Sequence, residues 1–251
     1  TPVLQLGRTA NESFGVYVEG LGIETGSGNP GAVGLDYQAH NVGAIRDVRI
    51  RSGDGAGVAG LKLKRSEGGT ELTPGPHLVK GLTVDGFDRG VWLGENRSGI
   101  CHVTFEQISL RNQRKAGFHF DTRLHASIRQ LTCDNHCPAI LLERSWGAAL
   151  LLSEARLTGK ANAGAAIVNH SGHNRIHLHS VRRRGYAKLL QTSGGAEVTD
   201  TKVDSWNSHP ATMVGTPDIK EVSPVLETPE PSRYPPDSWQ GHAGQELIGT
   251  Y

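Results

Sequence analysis

Short phrases with apolar residues two apart recur along the chain: DVRIRS at 47–52, GLTVDG at 81–86, QISLRN at 107–112 and QLTCDN at 130–135. Anchored on the first apolar residue, the pairs are Leu21/Ile23, Val48/Ile50, Leu82/Val84, Ile108/Leu110, Leu131/Cys133, Ala155/Leu157 and Val181/Arg183. Successive anchors are 27, 34, 26, 23, 24 and 26 residues apart. Residues two apart share one side of a strand, so each phrase predicts a short β-strand with one buried face. Two positions past each pair stand Thr25, Ser52, Gly86, Asn112, Asn135, Gly159 and Gly185. Gly and Asn best tolerate a left-handed backbone, which places a bend there.

A second alternating run follows each bend: Val33-Gly34-Leu35, residues 58–63, Val91-Trp92-Leu93, Phe118-His119-Phe120, Ile140-Leu141-Leu142 and, more weakly, Ala165-Ala166-Ile167. Glycines interrupt every window long enough for an amphipathic helix, which argues against an α-solenoid. Short strands and bends at a period of about two dozen residues predict an all-β fold, a single-stranded parallel β-helix with about seven coils. The 34-residue spacing is explained by a polar excursion, KRSEGGTELTPGPH at 64–77. Arg183 stands where an apolar residue is expected, and seven prolines follow between Pro210 and Pro236. The coil is therefore expected over 1–205, with 206–251 an extended Pro-rich tail, either a linker to a second domain or a strap.

Charge narrows the partners. Twenty-six basic and 25 acidic residues leave a net charge of +1, so no overall field favours nucleic acid or an anionic membrane. No apolar run is long enough to span a bilayer. The three cysteines, Cys101, Cys133 and Cys137, permit one disulfide at most. Cys133 falls on an inward anchor, and both it and Cys137 read as small buried groups rather than nucleophiles. The chain opens TPVLQL, without an initiator Met or signal-peptide features, as expected of a processed chain or a fragment.

Residues 23–61, with VKGLTVDGFDRGV and FEQISLRNQRKAGF, resemble the pectate-lyase-like β-helix superfamily. The likeness is to the first β-helical domain of bacterial proteins related to polygalacturonases and family-55 glycoside hydrolases, and it extends over residues 15–240, including ETPEP. The resemblance implies a right-handed coil, a polysaccharide substrate, a second β-helical domain of the same parent chain and a secreted or periplasmic location. Two features of the family are missing: its Gly-Asp-Gly opening with a short acidic helix, so early coils are expected to be absent, and the second domain. The family-55 catalytic acid belongs to that second domain and matches no residue here.

Stacked coils lie about 4.8 Å apart, so an outward position repeated along the chain becomes a ladder. Arg51, Asp85, Arg111, Asp134, Thr158 and Arg184 form one such series, and its alternating signs read as mutual neutralisation. Lys62, Trp92, His119 and Leu141 form another. An exposed Trp offers a face for a sugar ring, and Lys and His can bond hydroxyls; a Trp covered by a loop is the plainer reading.

Just beyond that strand come Glu95, Asp121 with Arg123, and Glu143 with Arg144. Glycoside hydrolysis uses two carboxyl groups, about 5–5.5 Å apart for retention and about 6.5–9.5 Å for inversion, distances that adjacent and alternate coils approach. Neighbouring Arg residues favour an ionised carboxylate, hence a base. A lyase would use the carboxylates for calcium or for a substrate carboxylate, with Arg or Lys taking the α-proton. Structural ion pairs at strand ends remain the bland alternative. No cofactor is expected apart from that conditional calcium. His170, His173, His177 and His179 lack the spacing of a zinc site and read as polar turn and strand residues. A non-catalytic glycan-binding or assembly module and a spacer are the competing functions.

Overall fold

A computed structural model describes residues 1–7, 13–39, 42–63, 76–143 and 147–209, without the side chains of 95–101, 122–124 and 162. These residues belong to one compact unit, Thr1–Pro210. The tail expected over 206–251 lies outside the described residues from 210 onward.

Sixteen strands make up the unit: β1 (Pro2–Leu6), β2 (Val16–Glu19), β3 (Gly22–Glu24), β4 (Val33–Tyr37), β5 (Gly43–Arg46), β6 (Arg49–Arg51), β7 (Ala59–Leu63), β8 (His77–Lys80), β9 (Thr83–Asp85), β10 (Arg89–Arg111), β11 (Ala116–Asp134), β12 (Ile140–Leu142), β13 (Ala149–Asn169), β14 (Arg175–Thr192), β15 (Glu197–Val198) and β16 (Lys202–Asn207). All pairings from β1 to β14 are parallel, between coils rather than between sequence neighbours joined by hairpins. The fold is an all-β parallel β-helix, and the seven anchored strands bound about six full turns between them.

Each coil has three walls, one more than the alternation suggested. The anchor strand is preceded by a further strand whose inward residues, Val18, Ile45, Val79, Phe105, Ile128, Leu152 and Leu178, stack in register. All seven are buried, as are the first anchors from Val48 to Val181. Leu21 departs from the pattern, being 42% exposed in the first anchored strand, which has a neighbour on one side only.

The recurring bend is also displaced from its expected place. Gly86, Asn112 and Gly185 do have positive φ, but Thr25, Ser52, Asn135 and Gly159 do not. The left-handed residue common to every coil lies one position before the anchor: Gly20, Asp47, Gly81, Gln107, Gln130, Glu154 and Ser180, with φ between 51° and 66°. One such residue turns the chain sharply from the preceding strand into the anchor strand. Five of the seven are not glycine, although left-handed backbone costs an L-residue roughly 1–2 kcal/mol. Asn135 serves the next corner differently: buried, it accepts from the Gln113 amide at 2.8 Å and donates to Gln113 Oε1 at 2.8 Å.

Close approach of two walls explains a column of stacked glycines, Gly34, Gly60, Gly90 and Gly117. A Cβ at these positions would lie 2.2 Å from Ile50, 2.3 Å from Val84, 2.9 Å from Leu110 and 2.9 Å from Cys133, the second anchor residues of the facing wall. The column thus sets how flat the coil can be. Both Cys133 and Cys137 are free thiols, and burial pushes the Cys137 thiol up to about 12.

His77, placed by sequence in the polar excursion, instead opens β8 as a buried residue against the edge of the Tyr37 ring, 5.5 Å between centroids. Among the described residues neither ring nitrogen has a hydrogen-bond partner, and burial lowers its pKa from 6.5 to about 4. The native imidazole is therefore neutral over a range where the unfolded chain binds a proton. Stability is expected to fall as pH drops from 6.5 towards 4, by up to about 3 kcal/mol from this residue. Urea unfolding at pH 7 and pH 4.5 should show a smaller pH-dependent loss in His77→Phe; an unchanged loss would place the sensitivity elsewhere.

The last coil is closed by two strands of opposite sense. β15 pairs antiparallel with β14 through Leu190↔Val198, and β16 pairs antiparallel with β14 from His177↔Asn207 to Arg182↔Lys202. Arg183 fits this end: its guanidinium donates to the carbonyls of Asp200, Thr199 and Tyr186. A polar residue at an apolar position is thus satisfied by the cap.

Candidate functional site

The second wall sets the site's register. Asp36, Lys62, Trp92, His119, Leu141, Val168 and Gln191 stand opposite one another in successive strands, so the sequence-derived series Lys62, Trp92, His119, Leu141 is one physical column. The flanking inward residues Val91, Leu93, Phe118, Phe120, Ile140 and Leu142 are buried and hold that alternation in place.

Trp92 is half-buried rather than a bare platform. Lys62 Nζ sits 4.9 Å and Arg89 Cζ 4.7 Å from its ring centroid, positions suited to cation–π attraction. Its Nε1 is buried without a hydrogen-bond partner among the described residues, and the indole lies so close over Gly94 that a Cβ there would come within 2.5 Å.

Arg89 is the residue the sequence reasoning missed. It opens β10 opposite Ala59 and Ala116, small residues that leave room for its side chain to cross between coils. Its Nε–H donates to His119 Nδ1 at 2.6 Å. His119, only 5% exposed, meets Glu143 Oε2 through Nε2 at 2.5 Å. Burial, followed by the Arg89 charge, lowers the His119 pKa, while Glu143 and Asp121 oppose the shift. A neutral ring that accepts at Nδ1 carries its proton on Nε2 and donates it to Glu143. Arg89 thereby selects the tautomer that grips the carboxylate.

Glu143 itself is 48% exposed. It occupies the corner after β12, and its amide donates to the Phe120 carbonyl, the residue just before Asp121. His170 and Ser193 take equivalent places in the next two coils, their amides bonded to Leu142 and Asn169. Asp121, half-buried, and Glu143 thus stand one rung apart at a single corner, a step of about 4.8 Å along the stack. Glu95 belongs to the same corner, where β10 carries an extra residue between Leu93↔Phe120 and Asn96↔Thr122. The Glu95 and Arg123 side chains, and Arg144 altogether, lie outside the described residues.

The charged series has the neutralising character its sequence suggested. Glu24, Arg51, Asp85, Arg111 and Asp134 stack in that order, with Arg51–Glu24 at 3.7 Å and Arg111–Asp85 at 2.9 Å. A second alternating column joins Lys80 to Glu106 at 3.0 Å and Arg129 to Glu106 and Glu154 at 3.7 and 3.2 Å. The histidines of 170–179 are spread out: His170 faces Ser193, and His177 bonds Asn207. Among the described residues no group of three or more His, Cys, Asp or Glu side chains is placed to hold a metal ion.

Comparison with protein-family models, with curated proteins and with solved structures finds no match to this chain.

Proposed function

We propose that this chain is a polysaccharide-acting β-helix module, working as part of a glycoside hydrolase, with Asp121 and Glu143 as its carboxyl pair. The observation that carries the reading is an exposed carboxylate held in a fixed orientation by a neutral histidine, one rung from a second, less exposed carboxyl group. The hydrogen bond from His119 fixes the orientation of the Glu143 carboxyl group, as a nucleophile or base requires. Asp121 then supplies the proton to the departing glycosidic oxygen. A separation of one coil resembles the spacing of enzymes that retain anomeric configuration more than that of inverting ones. The resemblance to β-helical glycan-degrading proteins supports the same substrate class, as analogy.

A second reading, a glycan-binding module without turnover, is favoured by one observation: Trp92 is engaged by Lys62 and Arg89, which stiffens it as a docking surface but adds no chemistry. Release of reducing sugar or unsaturated product from β-glucans, pectins and alginate separates hydrolase, lyase and binder. Reducing ends without unsaturation support the proposal; binding with no product overturns it in favour of the second reading. Under either reading Trp92→Ala is expected to weaken glycan binding about tenfold, by loss of the ring and of the cations it orders. Unchanged affinity in a binding titration would remove this column from the site.

A further inference from the structure

The charged columns of this β-helix mostly alternate in sign; where Arg46 stands opposite Lys80 the two cations are flanked by Glu19 and Glu106, but one longer run of cations has no such flanks. On the anchor wall, Thr132, Arg156, Arg182 and Lys202 are consecutive rungs, so three cations stand directly opposite one another. Arg184, two residues beyond Arg182 and so on the same face, stands opposite Thr158 and adds a fourth. All four are exposed. Among the described residues their one ion pair is Lys202 with Asp204 at 2.7 Å, and Arg182 also contributes to lowering the Asp204 pKa. Of the other carboxylates nearby, Glu154 is taken up by Arg129 and Gln130, and Asp134, opposite Thr158, stands in the Arg111 column. Like charges on opposed rungs repel, and the other such pair, Arg46 opposite Lys80, is relieved by the Lys80–Glu106 ion pair at 3.0 Å. A polyanion would turn that repulsion into attraction.

We propose that Arg156, Arg182, Arg184 and Lys202 form a binding site for a linear anionic glycan, distinct from the Trp92 column and on another wall. Rungs about 4.8 Å apart match closely the length of one sugar residue in an extended chain, so a glycan running along the stack presents one carboxylate or sulfate to each cation. Arginine suits this task because its planar fork pairs with both groups in bidentate fashion. The neighbouring Thr158, His179 and Ser205 can bond hydroxyls. No exposed Phe, Tyr or Trp ring borders the four cations among the described residues, which leaves bases the His179 imidazole alone to stack on, and a glycan fits better than a single-stranded nucleic acid.

The test measures binding of the full chain to heparin, polygalacturonate, a neutral β-glucan and a single-stranded DNA oligonucleotide over increasing NaCl. Expected are salt-sensitive binding to the first two, a loss of about threefold for Arg182→Gln, a larger loss with Arg156→Gln added, and a shallower salt dependence as cations are removed. Asp204→Asn should tighten binding, because it removes the carboxylate paired with Lys202. Trp92→Ala should leave heparin binding intact, so failure of the groove reading and failure of this one are separable. Unchanged affinity in the Arg156/Arg182 double variant with an unchanged melting temperature overturns the proposal, as does weaker binding by Asp204→Asn. Preference for the DNA oligonucleotide would overturn the glycan assignment.

Discussion

Gly185→Ala is expected to cost about 4 kcal/mol, combining left-handed strain with a backbone clash. Gly185 has φ +83°, and a Cβ there would lie 1.9 Å from the Gly159 carbonyl oxygen. The obstacle is backbone, not the flexible end of a side chain. At this point β13 makes an excursion: four of its residues lie between Thr158 and Ala163 where β14 has Gly185 alone between Arg184 and Tyr186. Tyr186 fills the space below the excursion, its ring 2.9 Å from where a Gly159 Cβ would sit and its hydroxyl donating to the Cys137 carbonyl at 2.7 Å. Left-handed strain of roughly 1–2 kcal/mol and overpacking of roughly 1–3 kcal/mol add here. For a unit of this size the sum is a drop of roughly 8–16 °C in melting temperature. Gly20→Ala is the control, with φ +66° and no heavy atom within 4 Å of its Cβ, so it carries the backbone strain alone. Equal losses for the two variants would show that the Gly159 contact relaxes.

Glu143→Gln and Asp121→Asn are each expected to lower glycan turnover about 10²- to 10⁴-fold while binding is retained, the usual cost of removing an acid, base or nucleophile. Each removes a charge that holds the His119 pKa up, Glu143 acting through a hydrogen bond as well. In Glu143→Gln the new amide oxygen can still accept from His119 Nε2–H, but the substitution removes a charge that holds the His119 pKa up, so that pKa falls further below its ordinary value. NMR titration of the ring nitrogens reads this directly. A rise in Glu143→Gln would mean that the hydrogen-bond assignment through Arg89 is wrong. Because neutral His119 is the form that donates to Glu143 while accepting from Arg89, acidification far enough to protonate it must break the Arg89 contact. Activity that depends on the relay is then lost on the acid side.

The register of Lys62, Trp92 and His119 could be read from sequence because two-residue alternation fixes which side chains face outward, and the anchor spacing fixes which coils are neighbours. Arg89 could not. Its contact with His119 crosses from one coil to the next, and its only sequence sign is a long cation three residues before an outward Trp on the same strand. The bend was misplaced for a different reason. Gly20 and Gly81 advertise a left-handed position, but Asp47, Gln107, Gln130, Glu154 and Ser180 occupy the same conformation without any compositional mark. Since that one residue is all that separates two walls, the wall before it merged with the anchor strand in the alternation. His77 was hidden by the polar residues ahead of it, as its burial follows from β5 and β10 on either side.

A stack of parallel coils is in principle a template without a natural length, because the hydrogen-bonding groups of its last coil match those of any coil that follows. Here β15 and β16 lay strands of reversed direction along β14. An incoming copy would meet the wrong polarity over those stretches and could not extend the ladder in step. Among the described residues, chain direction is what interrupts filament growth at that end.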